Sequence, residues 1–360
     1  MIGLAGAALA FATPGGVADQ KAAALDGSCL EGTTSSIVKA TGRERDFVVD
    51  APGQVIDASG VTWIGSGQES TLVGFEGEHP TCFSGGAEGA ILDGGFELDA
   101  MYECTPDHCP DRQCPRPCYA YHSAAGLGPD AGGLQIVEDV QIRRTGDGIS
   151  LQTAASRDVI ARRVYMYEIH DDAFESDFGL AGFTAEDNLV DGAYTAFAMR
   201  MRDSATEDQR DELWTIRDNL IRLREFPNGY RQRPGHGNVF KLDNSPNEPR
   251  FRMTGNTVVI GPDTGGQTLF PPVSRVEECR ENLYLFVGTE GQWQDALVSD
   301  NLADGGNNGE RMAALNQSFP GCFEVRIRSS GMSEDDFLAT EGWSDAVDRW
   351  KAEHVAGLIG

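Results

Sequence analysis

The sequence predicts an all-β solenoid of stacked parallel strands, and three observations carry that prediction. Short apolar segments recur: Glu138-Asp139-Val140-Gln141-Ile142, Arg162-Arg163-Val164-Tyr165-Met166, Glu186-Asp187-Asn188-Leu189-Val190, Arg217-Asp218-Asn219-Leu220-Ile221 and Thr254-Gly255-Asn256-Thr257-Val258. Their central positions 140, 164, 188, 219 and 256 lie 24, 24, 31 and 37 residues apart, the longer intervals absorbing insertions at 203–212 and 226–236. Strands of three to five residues with no helical period between them cannot build βαβ units, whereas a period near 24 suits coils that each bury their apolar positions on the coil before. The Leu-x-x-Leu-x-Leu signature of a leucine-rich repeat is absent. Finally, Asn188, Asn219 and Asn256 take the same place in three consecutive repeats, where stacked amide side chains hydrogen-bond along a ladder.

Taken along the chain, Ile2 to Ala12 is an apolar run ending in Ala10-Phe11-Ala12, too short to span a bilayer and shaped like a secretory signal with a small-residue cleavage site. Residues 1–18 are assigned to that signal, with cleavage after 12 or 18. Later in the chain no stretch approaches 18 apolar residues, which argues against an integral membrane protein. Gln54-Val55-Ile56-Asp57, Val61-Thr62-Trp63-Ile64 and Ala90-Ile91-Leu92-Asp93-Gly94 read as early rungs of a solenoid spanning 19–300. Cysteines number eight, four of them within 104–118. With His108 beside Cys109 the cluster could be a zinc knuckle, but in an exported chain a loop stapled by disulfides is favoured. After residue 300 a capping segment runs to 360, with a helix over 333–356 that starts at an N-cap Ser333 and puts Trp343, Val347, Trp350 and His354 on one face.

Charge excludes one class of partner. Lys and Arg total 29 against 56 Asp and Glu, a net charge of −27, and such a chain repels a nucleic acid as a whole. Yet Arg200 to Arg252 holds 11 Arg and Lys against 9 Asp and Glu, a locally cationic stretch in an anionic body.

The strand after the turn in each coil locates a candidate site. Aligning 148–152, 173–177, 196–200 and 239–243 with Ile149, Phe174, Phe197 and Phe240 inward leaves Ser150, Glu175, Ala198 and Lys241 outward, with Gln152, Asp177, Arg200 and Asp243 beside them. The preceding turns carry His170-Asp171-Asp172 and Gly235-His236-Gly237. Carboxylates, histidines, an arginine and a lysine thus converge on one face, as acid–base chemistry requires. Lys241 is the sole lysine between Lys39 and Lys351. An amine can shed its proton beside another cation whereas guanidinium cannot, so Lys241 is expected to be a base. Asp171, Asp172, Glu175 and Asp177 form an acidic group that can hold calcium through hard oxygen ligands. Solvated turn chemistry is the plain alternative for the aspartate pair.

These repeats resemble the right-handed parallel β-helix of the pectin-lyase-like superfamily over roughly residues 50–290. The resemblance implies a secreted or periplasmic enzyme acting on an acidic polysaccharide or oligosaccharide. Glu175-x-Asp177 followed by Arg200, 25 residues on from Glu175, is similar to the acidic pair and catalytic Arg of the alginate-lyase and chondroitin-lyase branch. That branch's Lys, shortly after the acidic pair, is missing. The expected function is therefore β-elimination on a uronate polymer. Arg200 neutralises the uronate, Lys241 or His170 acts as base, and His236 as acid or subsite contact. Arg202, Arg231, Arg233 and Asp243 are substrate contacts, and the acidic group takes Ca2+. Hydrolysis in the manner of the polygalacturonase branch is the alternative, with Asp171-Asp172, Gly235-His236-Gly237 and Arg326-Ile327-Arg328 answering its motifs although Arg328 replaces a Lys and the Asn-Thr-Asp element one coil earlier is missing. A non-catalytic glycan-binding β-helix is the third.

Overall fold

A computed structural model describes residues 29–30, 37–39, 47–49, 55–64, 71–75, 81–94, 123–127, 134–151, 157–176, 181–200, 208–225, 235–243, 245, 247–262, 267–298 and 306–355. The proposed signal segment and the cysteine cluster at 104–118 lie outside them. All strand pairings among the described residues are parallel, and they sort into three sheets wound as one parallel β-helix. Sheet I stacks Val55–Asp57, Thr81–Ser84, the opening of Gln135–Thr145, the opening of Arg157–Ser176, Ala181–Glu186, Leu213–Arg217, Arg250–Thr254 and Val276–Arg280. Sheet II runs from Thr62–Ile64 through Ala90–Asp93, Leu220–Leu223, Thr257–Ile260 and Asn282–Phe286 to Phe323–Ile327. The parallel sheet thus continues past residue 300. Sheet III carries Asp147–Leu151, the end of Arg157–Ser176, the end of Leu189–Met199 and Phe240–Leu242.

The anticipated repeats fall into register. Val164 pairs with Val140, Tyr165 with Leu189, Leu189 with Leu220 and Leu220 with Thr257. At the corner between sheets I and II the asparagine ladder forms and gains a fourth member, Asn282. Each amide nitrogen of Asn188, Asn219 and Asn256 donates to the next Asn Oδ1 at 2.8–2.9 Å, and each backbone N–H does so too. Asp187, Asp218, Gly255 and Glu281, just before these asparagines, have left-handed backbone, and the ladder satisfies polar groups that this sharp corner takes out of the strands.

Inside, identical positions of successive coils stack. Phe174 lies 5.3 Å from Phe197 with rings nearly parallel, and Phe197 lies 5.8 Å from Phe240. Burying a side chain of this kind stabilises by about 1.5–3 kcal/mol. Among the described residues four helices follow: α1 (Glu290–Val298), α2 (Asn308–Ser318), α3 (Glu334–Thr340) and α4 (Trp343–His354). Trp293, Ala296 and Leu315 of α1 and α2 join the solenoid core, with Trp293 against Phe286 at 5.1 Å. The single helix expected over 333–356 is two, because Gly342 adopts φ 78° and breaks it. Ser333 is the N-cap as expected, its hydroxyl accepting from the Asp336 amide. Rather than sealing an end, α3 and α4 lie along the outside of sheet II, where Trp343, Val347 and Trp350 pack with Leu189, Val259 and Leu285. Trp350 Nε1 donates to Asp187 Oδ1 at 2.9 Å.

Two disulfides form among the described residues, Cys29–Cys82 and Cys279–Cys322. No helix among those residues is long and apolar enough to cross a membrane.

Candidate functional site

Sheet III has the register that sequence alignment of the coils anticipated. Ile149 pairs with Phe174, Phe174 with Phe197 and Phe197 with Phe240, while Ser150, Glu175, Ala198 and Lys241 make the neighbouring row. Contrary to the sequence expectation of a solvent-facing row, Ser150, Glu175 and Ala198 are buried and only Lys241 is part-exposed. Rungs of such a sheet stand about 4.8 Å apart. Lys241 is therefore two rungs from Glu175, with only the methyl group of Ala198 between. Its side chain extends back through that gap and donates from Nζ to Asp172 Oδ2 at 2.5 Å.

Both turn aspartates are buried. An irregularity in the pairing between Ile169 and Asp172 inserts an extra residue before sheet III, and such a bulge re-aims consecutive side chains. One coil earlier stands Asp147, which sequence reasoning passed over. Its Oδ1 accepts the Asp172 amide at 3.2 Å. The following Gly148 permits the approach, since a Cβ there would lie 2.5 Å from the Ala173 carbonyl oxygen. Asp147, Asp172 and Glu175 each turn one oxygen into a space where the three lie within 4.8 Å of one another. Glu175 also accepts from Ser150 Oγ at 3.4 Å.

So close a group cannot stay fully ionised. Two carboxylates 4.8 Å apart repel by about 3 kcal/mol at an effective dielectric near 20, enough to hold a proton on one of them. Burial, followed by the charges of Glu175, Asp171 and Asp172, pushes Asp147 well above the usual carboxylate range. Burial and the charge of Asp171 raise Asp172 to about 7, against the lowering pull of Lys241. For Lys241, burial opposes the charge, but Asp172, Asp171 and Glu175 outweigh it and raise the ammonium above its ordinary value. The sequence-based expectation that a neighbouring cation would free this amine as a base is corrected: its neighbours are carboxylates, and they keep it protonated.

Arg200, at the end of the same strand, bridges Asp243 at 3.0 Å with its side chain 36% exposed, at the edge of the face whose centre Lys241 covers. His170 is half-buried on the bulge beside Asp171. His236 is buried beyond Thr195. The amide of Gly237 bonds the Tyr194 carbonyl at 2.7 Å, and the ring edge bearing Nε2 faces Gly261 on a further coil. Its Nδ1 lies 2.7 Å from the Gly237 carbonyl, which fixes the proton on that nitrogen. His236 is not among the groups whose ligand atoms converge with the three carboxylates. Asp177, Arg202, Arg231 and Arg233 fall outside the described residues. Arg326 and Arg328 sit at the last strand of sheet II, where Arg326 pairs with Glu324 and Glu341, so they do not join Asp171-Asp172 on sheet III.

Asp147 Oδ2 and Asp172 Oδ1 are buried without a hydrogen-bond partner among the described residues. Hard oxygens in this state suit calcium. Among the described residues the fitting set is Asp147, Asp172 and Glu175; Asp171, expected from sequence, is not part of it, and Asp177 lies outside the described residues.

Comparison with known proteins returns no match: no family model fits the chain, and neither a curated protein nor a solved structure is similar to it.

Proposed function

We propose that this chain is a secreted polysaccharide lyase that cleaves a uronate-containing polymer by β-elimination on the outer face of sheet III. The observation that carries this reading is the placement of Lys241. Its ammonium is held charged by buried carboxylates, its side chain is 16% exposed, and its strand pairs with the one that ends just before Arg200. Two cations rooted on adjacent coils of an otherwise anionic body can receive a carboxylate, and neutralising a uronate makes its C5 proton removable.

In this reading Arg200 takes the uronate carboxylate. Glu175, in the same row as Lys241, removes the C5 proton, and His170 is the second candidate base. Lys241 gives a proton to the leaving oxygen and stabilises the charge that develops there, with Asp172 behind it titrating near neutrality and able to pass a proton along their shared bond. Calcium, when bound by Asp147, Asp172 and Glu175, would add neutralising charge beside the substrate carboxylate, and with Glu175 so engaged the base would be His170.

The parallel β-helix supports kinship with the pectin-lyase-like superfamily, and Glu175 followed one coil later by Arg200 supports its alginate-lyase and chondroitin-lyase branch. Two disulfides and the apolar first residues support export.

One observation favours hydrolysis as a second reading. Asp147, one coil before Asp171-Asp172, supplies a third aspartate where the polygalacturonase branch has its Asn-Thr-Asp element, and a protonated carboxyl beside an ionised one is the pair that glycoside hydrolysis uses. Mass analysis after incubation with polygalacturonate, alginate and chondroitin sulfate separates the two. Elimination yields fragments whose masses sum to that of the polymer, and hydrolysis adds one water per cleavage. Intact polymers throughout would remove both.

A further inference from the structure

Behind Arg200 lies a second ion pair that the proposed chemistry does not use. Glu248 and Arg275 form an ion pair, the glutamate side chain fully buried and the arginine's 12% exposed. Glu248 Oε1 also accepts the backbone amide of Asp243 at 3.2 Å. Arg275 donates from Nη2 to the Pro249 carbonyl at 2.6 Å, lies 3.4 Å from Met199 Sδ and stacks over the Phe251 ring at 5.3 Å. One pair therefore grips both chains that carry the Arg200–Asp243 bridge: the residue preceding Arg200 on one side, the amide of Asp243 on the other.

The bridge cannot hold itself. An ion pair exposed by about a third on each side gains little and samples many geometries. A buried pair is different, because separating it leaves an uncompensated charge, and a matched pair of apolar side chains would fill the same volume at no loss of stability. We propose that Glu248 and Arg275 are positioning residues that fix the Arg200 guanidinium for an anionic substrate group. The proposal rests on the reading of Arg200 as the uronate contact.

The test uses the full chain in four forms: wild type, Glu248→Gln, Arg200→Ala and the double variant. Glutamine keeps the acceptor for the Asp243 amide and removes the charge that holds Arg275. Affinity for a uronate hexasaccharide is measured by calorimetry, with thermal midpoints alongside. Glu248→Gln should weaken binding about tenfold with kcat held within about twofold, and should add nothing in the Arg200→Ala background. Unchanged affinity, or losses that multiply in the double variant, would overturn the proposal. Should Glu248→Gln not fold, Arg275→Lys enters the same cycle. A second readout is independent of substrate: the Arg200 Nε–H signal in nitrogen-15 NMR should exchange slowly in wild type and faster in Glu248→Gln and Arg275→Lys. If wild type binds no uronate oligosaccharide, the lyase reading fails while this signal still decides the positioning role. A signal identical in all forms overturns it.

Discussion

Lys241 Nζ bonds Asp172 Oδ2 across two coils, and the residue that makes the reach possible is Ala198, whose methyl group leaves the intervening rung open. An ammonium is thereby displayed on the face of sheet III from a root two rungs away. Ala198→Leu should close that gap. Overpacking costs about 1–3 kcal/mol, which a solenoid of this length tolerates. The expected outcome is a folded protein with at least about a tenfold lower rate, read from initial rates beside the thermal midpoint.

The buried carboxylates give stability a pH dependence of defined sign. Asp172 titrates at about 7 in the fold, against about 3.9 in an unfolded chain, so the native state binds more protons between those values. Its contribution to stability is full below about pH 4 and is lost as pH rises through 7. Asp147, shifted in the same direction, adds to the loss. Asp172→Asn should flatten this slope, so that the wild-type thermal midpoint falls relative to the variant's between pH 4 and 8. Parallel midpoint curves would show that Asp172 is not a protonated group in the fold.

Arg200 is assigned to the substrate carboxylate. Arg200→Ala should lower kcat/KM about 100-fold, and the wild-type KM should rise with salt as the local field is screened. Turnover that is intact in Arg200→Ala would remove the assignment.

The asparagine ladder predicts a structural cost with no catalytic one. Asn219 accepts from the backbone and side chain of Asn188 and donates to the Ala185 carbonyl and Asn256. Asn219→Leu strands several of these groups at about 1–3 kcal/mol each. Denaturant unfolding should show a loss of about 3 kcal/mol or more with the residual kcat unchanged.

The architecture was legible because a solenoid writes its period into the chain. The spacing of Ile149, Phe174, Phe197 and Phe240 set sheet III in the right register, and three asparagines announced a ladder. What escaped was of a different kind. Asp147 sits 25 residues before Asp172, the interval that separates Ile149 from Phe174, yet it falls between two glycines just before the segment 148–152 that the alignment begins with. Asn282 carries the ladder on, 26 residues after Asn256, beyond the part of the repeat that was aligned. The protonation of Lys241 depended on which charges surround it after folding. Strand order alone does not reveal that a lysine reaches past its neighbour to an aspartate two coils back.

The most direct test follows ultraviolet absorbance of unsaturated uronyl ends during incubation of the full chain with each acidic polysaccharide, alongside Lys241→Met. The account predicts that absorbance rises with one polymer and that the variant loses it by about 100-fold or more. New reducing ends without that absorbance, or a Lys241→Met protein as active as wild type, would contradict it.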